Sequence, residues 1–212
     1  MLDPQLRDEI GGEGFEYLAS LRPSRIREVQ AGRLGWTTVE LVDVDSGHAR
    51  ALREGLELFG IRVNLTFAGT SRHVLAAFEH VAGAPYVVLA CHGDEGRIKL
   101  PRLADELERF QPIHEWLGPD DVRRYARFDG SVVIATGCDT GGVLGEAFLD
   151  AGASAYVAPE GAPFGYASFF APLFLFYELT EGRSLEEAVE RLRAHDRELS
   201  MWRLFRGPAP AK

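Results

Sequence analysis

Three short, almost continuous apolar runs restrict the fold more than any other feature of the sequence. They are Pro85–Cys91 (PYVVLAC), Ser131–Ala135 (SVVIA) and Ala153–Ala158 (ASAYVA). Strands that are covered by helices on both faces have this composition, because side chains on either face enter an apolar layer. The three runs therefore predict central strands of a mainly parallel sheet.

Alternating strand and helix patterns surround these runs. Two further strands are predicted at Thr38–Val44 and Ile61–Phe67, and Ser46 or Asp45 is predicted to cap the helix that follows the first and ends at Phe59. Other helices are predicted over Thr70–Val81, Gly142–Ala151, Tyr166–Thr180 and Leu185–Leu199. The order β-α-β-α-β-loop-β-α-β-α-α predicts an α/β fold, a three-layer sandwich with one mainly parallel sheet.

The length of 212 residues fits a single domain with short additions at its ends. Residues 1–35 are predicted to form an N-terminal helical leader, and residues 36–206 the α/β domain. Residues 207–212 (GPAPAK) predict a flexible tail, because Pro and Gly at a terminus disfavour regular structure.

Charge and cysteine usage exclude several classes of partner and setting. The net charge is −9, and no run of five or more basic residues occurs, which argues against nucleic acid or an anionic membrane as the main partner. The longest apolar stretch, Ala167–Tyr177, is too short to span a bilayer. Two cysteines and a charged opening segment, Met1–Ile10, favour a reduced, cytoplasmic setting.

Reactive side chains follow two of the apolar runs at the point where each predicted strand ends. One run ends as Cys91-His92-Gly93, and the next is followed by Gly137-Cys138. Ligands bind beyond the carboxyl ends of parallel strands, so neighbouring strands would bring His92 and Cys138 to one edge. Because a free thiol is mostly protonated at neutral pH, it needs a base. Cys138 is therefore the predicted nucleophile and His92 its base.

The backbone around these residues suits acyl transfer. The N–H groups of Gly93 and Cys138 are predicted to stabilise an oxyanion, since glycine lets the backbone approach a substrate carbonyl. Cys91 precedes His92 and is predicted to point into a helix-covered layer, because neighbouring strand residues face opposite ways. The plainer alternative is that Cys138 is a small buried apolar residue and that His92-Gly93 forms a turn.

These motifs in this order resemble the caspase-like fold of clan CD cysteine peptidases. The interval between His92 and Cys138 is 46 residues (138 − 92), which is similar to the spacing in caspases, although the caspase cysteine signature is absent. The likeness is greatest to the bacterial CHAT branch, which is related to separase. It rests on CDTGG followed by LGEAFLDAGASAYVA and on Gly182–Ala188 (GRSLEEA), and it covers Thr37 to Leu199.

The resemblance implies a cysteine endopeptidase that works with a Cys-His dyad and acts on a protein or peptide. The sequence departs from the CHAT pattern at Asp139 and in the PEGAPFG segment, and both positions bear on the substrate pocket. The regulatory repeats of many relatives are absent, which leaves open a separate regulatory protein partner.

A group of residues near the same edge predicts the substrate preference. The predicted substrate-binding residues are Asp139, Glu160, Thr136 and Asp94, with Glu95 beside them. A carboxylate that is shielded from water selects Arg or Lys through charge-assisted hydrogen bonds, so cleavage after a basic residue is predicted. Two alternatives remain: solvated acids without a role, or an apolar pocket of Thr136, Phe164 and Tyr166.

No metal or cofactor is predicted. Neither CxxC nor HExxH occurs, and the other five histidines, which have no metal-ligand spacing, are predicted to be structural: His48, His73, His80, His114 and His195. Two other functions remain open at this point. One is a catalytically silent caspase-like module that binds partners, and the other is a flavodoxin-like ligand-binding domain.

Overall fold

The computed structural model describes residues Thr37–Gly207. The predicted leader, 1–35, lies outside the described residues, as does the predicted tail, 207–212, except for Gly207. Within the described residues, no helix is both long and apolar enough to cross a membrane.

Nine strands and seven helices run through the described residues. The strands are β1 (Thr38–Val44), β2 (Arg62–Phe67), β3 (Tyr86–Cys91), β4 (Gly93–Asp94), β5 (Arg97–Lys99), β6 (Trp116–Leu117), β7 (Val132–Ala135), β8 (Ala155–Pro159) and β9 (Trp202–Arg206). The helices are α1 (Ala49–Leu58), α2 (Ser71–His80), α3 (Asp105–Glu108), α4 (Pro119–Tyr125), α5 (Val143–Asp150), α6 (Gly165–Thr180) and α7 (Leu185–His195).

Six strands form the main sheet in the order β2-β1-β3-β7-β8-β9. The pairs from β2 to β8 are all parallel, and β9 adds to β8 in the antiparallel direction. The three apolar runs become β3, β7 and β8, which lie side by side in the sheet. The predicted mainly parallel sheet is therefore confirmed.

Helices cover both faces of this sheet and give it two apolar layers. On one face, α2, α4 and α5 pack against Val87, Leu89 and Cys91 of β3. On the other face, α1, α6 and α7 pack against Val88 and Ala90 of the same strand. The alternation along β3 explains its continuous apolar sequence, and the three-layer sandwich is as predicted.

The structure corrects the predicted C-terminal helix, Leu185–Leu199. The helix ends at His195, and Asp196 then leaves the helical conformation and accepts a hydrogen bond of 2.8 Å from the Leu199 N–H. After a 3-10 turn at Leu199–Met201, the chain forms β9. Two arginines interrupt the apolar residues along WRLFR, so a search for continuous apolar runs did not predict this edge strand.

Two other expectations are corrected near the site. Helix α1 begins at Ala49 after His48, so neither Ser46 nor Asp45 caps it with its side chain. The segment predicted as a loop between β3 and β7 contains a second sheet, in the order β4-β5-β6. That sheet begins one residue after His92, so His92 lies at the junction of the two sheets.

Candidate active site

The pairing of β3 with β7 brings the predicted nucleophile and base to adjacent strand ends. Leu89 of β3 pairs with Ala135 of β7, and every other pair of these strands has the same offset. The interval between His92 and Cys138 equals that offset, 46 residues, so the two follow the strands at matching positions. Both therefore lie at one carboxyl edge of the sheet.

Two glycines pack the strand ends tightly against each other. A methyl group on Gly93 would lie 2.6 Å from the Cys138 carbonyl oxygen, and one on Gly137 would lie 3.0 Å from the Gly93 nitrogen. The methyl group on Gly137 would also lie 2.9 Å from the His92 carbonyl carbon. Real side chains do not come this close to backbone atoms, so only glycine allows the His92 and Cys138 segments to approach.

Hydrogen bonds hold the turn that carries Cys138. The Thr140 hydroxyl donates to the Gly137 carbonyl at 2.7 Å, and the buried Tyr156 hydroxyl of β8 donates to the Thr140 carbonyl at 2.8 Å. The Asp139 N–H donates to the Gly161 carbonyl at 2.6 Å. Asp139 has a φ of 49°, a conformation that Asp tolerates better than most residues. The turn is thus held in place from β8 and from the segment after it.

The two thiols have different surroundings. Cys91 is 3% exposed in the apolar layer, as predicted, and burial raises its pKa to about 12. Cys138 is partly exposed, and its pKa is raised first by burial and then by the carboxylates of Asp94 and Asp139. Both thiols are therefore protonated at neutral pH, and the accessible one needs a base to react.

His92 is exposed at the sheet edge, and its backbone is fixed. Its carbonyl accepts a hydrogen bond of 3.0 Å from the Lys99 N–H. In the described part of the chain, no hydrogen bond joins its imidazole to the Cys138 thiol. The backbone thus brings the two segments together, and their side chains are not hydrogen-bonded to each other; catalytic hydrogen bonds are often long or poorly aligned in structures without substrate.

A polar turn at the end of β1 lies beside His92. The Ser46 N–H and hydroxyl both donate to Asp43 Oδ1, at 2.9 and 2.7 Å. Nδ1 of His48 lies 3.1 Å from the Ser46 carbonyl oxygen. The pKa of His48 is lowered, mainly by burial and to a smaller extent by the charge of His92. We predicted His48 to be structural because its spacing suits no metal; its place directly after a strand end was the signal missed.

The predicted acidic group lies at the rim of the site. An open groove of about 370 Å³ has this lining: Glu95, Gly96, Asp139, Gly141, Gly142, Val143 and Glu160. Glu95 forms an ion pair with Arg97 at 2.9 Å, and Glu160 forms one with Arg203 at 3.2 Å. Asp139 has no ion-pair partner among residues 37–207. Of the three carboxylates in the groove, Asp139 is therefore the uncompensated one.

The other predicted substrate-binding residues lie outside this groove. Asp94 is exposed and close enough to Cys138 to raise the pKa of its thiol. Thr136 is 1% exposed, and its hydroxyl accepts from the Cys91 N–H at 3.2 Å. This burial does not fit a substrate-binding role, and Thr136 instead joins the two strand ends. Phe164 and Tyr166, which we considered for an apolar pocket, are exposed, with ring centroids 6.4 Å apart.

Metal ligation has no candidate in the described ranges, because no three His, Cys, Asp or Glu side chains there are grouped to hold an ion. The chemistry that the edge offers is that of a thiol, an imidazole and backbone N–H groups.

Comparisons with known proteins identify the fold. No protein-family model matches the chain, and no curated protein matches it. Among solved structures, it is similar to the Saccharomyces cerevisiae separase in a separase–securin complex, with 11% identity and a TM-score of 0.50. It is also similar to the Arg-specific cysteine proteinase gingipain R, with 14% identity and a TM-score of 0.54.

These likenesses cover 82% and 83% of this chain, but only 12% of the separase chain and 47% of the gingipain chain. Both proteins are caspase-like cysteine peptidases of clan CD. The predicted caspase-like fold is therefore confirmed, while the placement in the CHAT branch stays a prediction.

Proposed function

We propose that this protein is a cysteine endopeptidase of the CHAT type, with Cys138 as nucleophile and His92 as base. One observation carries the proposal: the β3–β7 register and the Gly93 and Gly137 contacts bring both residues to one edge. A cysteine and a histidine within reach of each other are the minimum that thiol catalysis requires. The caspase-like fold supports the same chemistry.

The reaction needs one proton to move in each direction. His92 takes the proton from Cys138 Sγ, and the thiolate attacks the carbonyl carbon of the scissile peptide bond. The carbon–nitrogen bond then breaks, and His92 returns the proton to the leaving amine. Water hydrolyses the thioester, which releases the carboxylic acid and restores the thiol.

The backbone N–H groups of Gly93 and Cys138 stabilise the oxyanion in this proposal. Gly93 begins β4 and packs against the Cys138 carbonyl, so the two segments are in close contact. Donors that are fixed before the substrate arrives need no reorganisation when negative charge develops on the carbonyl oxygen. Two N–H groups on one rigid pair of strand ends meet that requirement.

The substrate preference is for a basic residue before the scissile bond. Asp139 adjoins the nucleophile and has no ion-pair partner in the described ranges, so a guanidinium can pair with it without displacing another cation. Glu160 contributes once Arg203, its present partner, moves away. Asp94 adds negative charge at the same edge. That gingipain R is Arg-specific gives an independent reason to test arginine first.

Covalent probes test the nucleophile and the preference together. Peptide acyloxymethyl ketones that differ only in Arg or Leu at the residue before the ketone are compared by labelling rate. We expect Arg to be preferred by at least about tenfold, or about 1.4 kcal/mol in transition-state binding. Asp139→Asn should reduce that preference more than Glu160→Gln, because Glu160 is already paired. Preference for Leu would reject the acidic pocket but keep the nucleophile.

The unformed side-chain pair also bears on regulation. With the Cys138 pKa raised and His92 unbonded to it, activity requires an event that brings the imidazole to the thiol. We assign that event to a substrate or to a regulatory protein partner, and the separase structure, in which securin is bound, supports the second. Both cysteines are free, and we place the protein in the reducing cytoplasm.

The competing function is a module that binds partners and has no catalytic activity. The missing hydrogen bond between His92 and Cys138 favours it. Iodoacetamide separates the two: an enzyme should have a Cys138 that reacts faster than Cys91 and loses that advantage in His92→Ala. A module without catalysis should show no effect of His92 on the Cys138 rate.

A further inference from the structure

We propose that His48 is a positioning residue for His92, accepting its second N–H so that the first nitrogen faces Cys138. This inference rests on the proposed function, because it concerns the base of that same site. It adds a third member, from the end of β1, that sequence spacing did not indicate.

The His48 imidazole has a fixed orientation and a fixed tautomer. Its Nδ1 lies 3.1 Å from the Ser46 carbonyl, which can only accept, so Nδ1 carries the proton. Nε2 is then a lone pair. The Phe169 ring of α6 packs edge-on against the imidazole, with centroids 6.4 Å apart.

The lone pair of His48 has no partner in the described structure. Nε2 is buried and makes no hydrogen bond to the described residues. Leaving a buried acceptor unpaired is costly for a folded protein, so such an atom calls for an explanation. A donor that arrives only when the site is assembled provides one.

The order of the strands puts His92 between this acceptor and the nucleophile. Strand β3 lies between β1 and β7, and Val44 near the end of β1 pairs with Cys91 at the end of β3. The turn with His48 therefore follows the strand on one side of His92, and Cys138 follows the strand on the other. One ring nitrogen of His92 can therefore hydrogen-bond to His48 while the other hydrogen-bonds to Cys138.

The alternation along β3 supports the same side of the sheet for both histidines. Val88 and Ala90 face the layer of α1 and α6, and a continuation of that alternation gives His92 the same face. His48 immediately precedes α1 and contacts Phe169 of α6 in that layer. The two rings thus share one face as well as one edge.

The proposed contact accounts for both protons on His92. When His92 takes the thiol proton on one nitrogen, the N–H on its other nitrogen donates to His48 Nε2, and no further proton moves. The lowered pKa of His48 keeps it neutral, so its lone pair is available at neutral pH. Asp43, held by two hydrogen bonds from Ser46, acts on His48 in the opposite direction, but burial outweighs it and the pKa of His48 stays lowered.

The test uses the whole chain and the rate of Cys138 alkylation by iodoacetamide across pH, with each cysteine followed by peptide mass spectrometry. His48→Phe keeps a ring against Phe169 and removes the acceptor. We expect it to reduce the Cys138 rate near pH 7 by at least about fivefold. The melting temperature should change little, because the lost hydrogen bond from Nδ1 to the Ser46 carbonyl is offset by the removal of an unpaired buried nitrogen.

Two variants separate positioning from packing. His48→Gln offers an amide oxygen near the position of Nε2 and should restore the rate to within about twofold of the natural protein. Phe169→Leu loosens the packing of the ring but keeps the acceptor, and should also stay within about twofold. Asp43 and His92 are the titratable groups whose charges affect the pKa of His48, and α6 contributes the Phe169 ring, so the pH profile reports on these groups.

The outcomes separate the two proposals. If His92→Ala slows Cys138 but His48→Phe leaves the rate unchanged, the positioning role is wrong and the dyad stands. If His48→Gln is as slow as His48→Phe, the acceptor explanation is also rejected. If His92→Ala has no effect on the rate, the proposed function itself fails.

Discussion

The ends of β3 and β7 lie side by side in one sheet, yet their cysteines have opposite environments. Cys91 is the last residue of its strand and is buried in the apolar layer against α2 and α5, with a pKa raised to about 12. Cys138 lies three residues beyond its strand, partly exposed in a turn rich in glycine. Both residues are cysteines, so the residue type does not explain why one is buried and the other is partly exposed.

The contrast shows that a side chain at a strand end leaves the apolar layer where the chain leaves the pleat. Cys91 still obeys the alternation of β3, which directs it into a helix-covered layer. Past Ala135 the chain turns, and Gly137 allows it to approach the His92 segment within distances that a methyl group would forbid. Backbone freedom, rather than thiol chemistry, distinguishes the two cysteines.

The largest effect is expected from removing each thiol in turn. Cys138→Ala should abolish probe labelling and any peptidase activity, with little change in stability, because the side chain is partly exposed. Cys91→Ala should leave labelling of Cys138 intact. Intact-mass spectrometry after probe treatment, together with thermal unfolding, measures both. Inactivity confined to the Cys91 variant would reverse the assignment of the nucleophile.

The glycine contacts give the next largest effect. Gly93→Ala should reduce the Cys138 labelling rate by roughly a hundredfold, because a shift of about 1 Å between reacting groups costs that much. Gly69→Ala is the matched control, since a methyl group there meets no atom within 4 Å. Equal labelling rates in both variants would show that the approach of the two strand ends is unimportant.

Replacing Cys91 by a more polar residue gives a smaller effect, and we expect it to change stability alone. Cys91→Ser should lower the free energy of unfolding by about 1–3 kcal/mol, because burying a hydroxyl in an apolar layer costs more than the hydrogen bonds from the Gly137 and Thr136 backbone return. Cys138→Ser should change it by less than about 0.5 kcal/mol. Urea unfolding checks both, and a similar loss in the two variants would erase the contrast in burial.

The smallest effect concerns the charge around Cys138. Asp94 raises the pKa of this thiol, so Asp94→Asn should lower that pKa and increase the thiolate fraction at any pH below it. We expect the alkylation rate at pH 7 to rise by about twofold to fivefold. Cys91 should be unaffected, because Asp94 does not contribute to its raised pKa. A slower Cys138 would mean that Asp94 assists the reaction directly.

The sheet could be predicted because its determinants are local. Three apolar runs predicted β3, β7 and β8, and strand-end residues predicted the edge that carries Cys138 and His92. Strand β9 was missed because its arginines break the apolar pattern, and a strand of this kind becomes evident only through its pairing with β8.

The site was less predictable because it depends on contacts between distant segments. Nothing in the sequence indicates that Thr136 is buried against Cys91, or that Arg203 pairs with Glu160. The placing of His48 beside His92 likewise follows from the order of the strands in the sheet, which the sequence order does not give. The sequence indicated which residues could react, but it did not indicate which residues contact each other in the folded protein.

A crystal structure of the protein after reaction with an Arg acyloxymethyl ketone tests the central claim most directly. We expect a covalent bond to Cys138 Sγ, with a His92 nitrogen about 2.6–3.2 Å from the sulfur or from a water that it holds. The guanidinium should face Asp139. An adduct on Cys91, no adduct at all, or a His92 ring on the opposite face of the sheet from Cys138 would contradict the account.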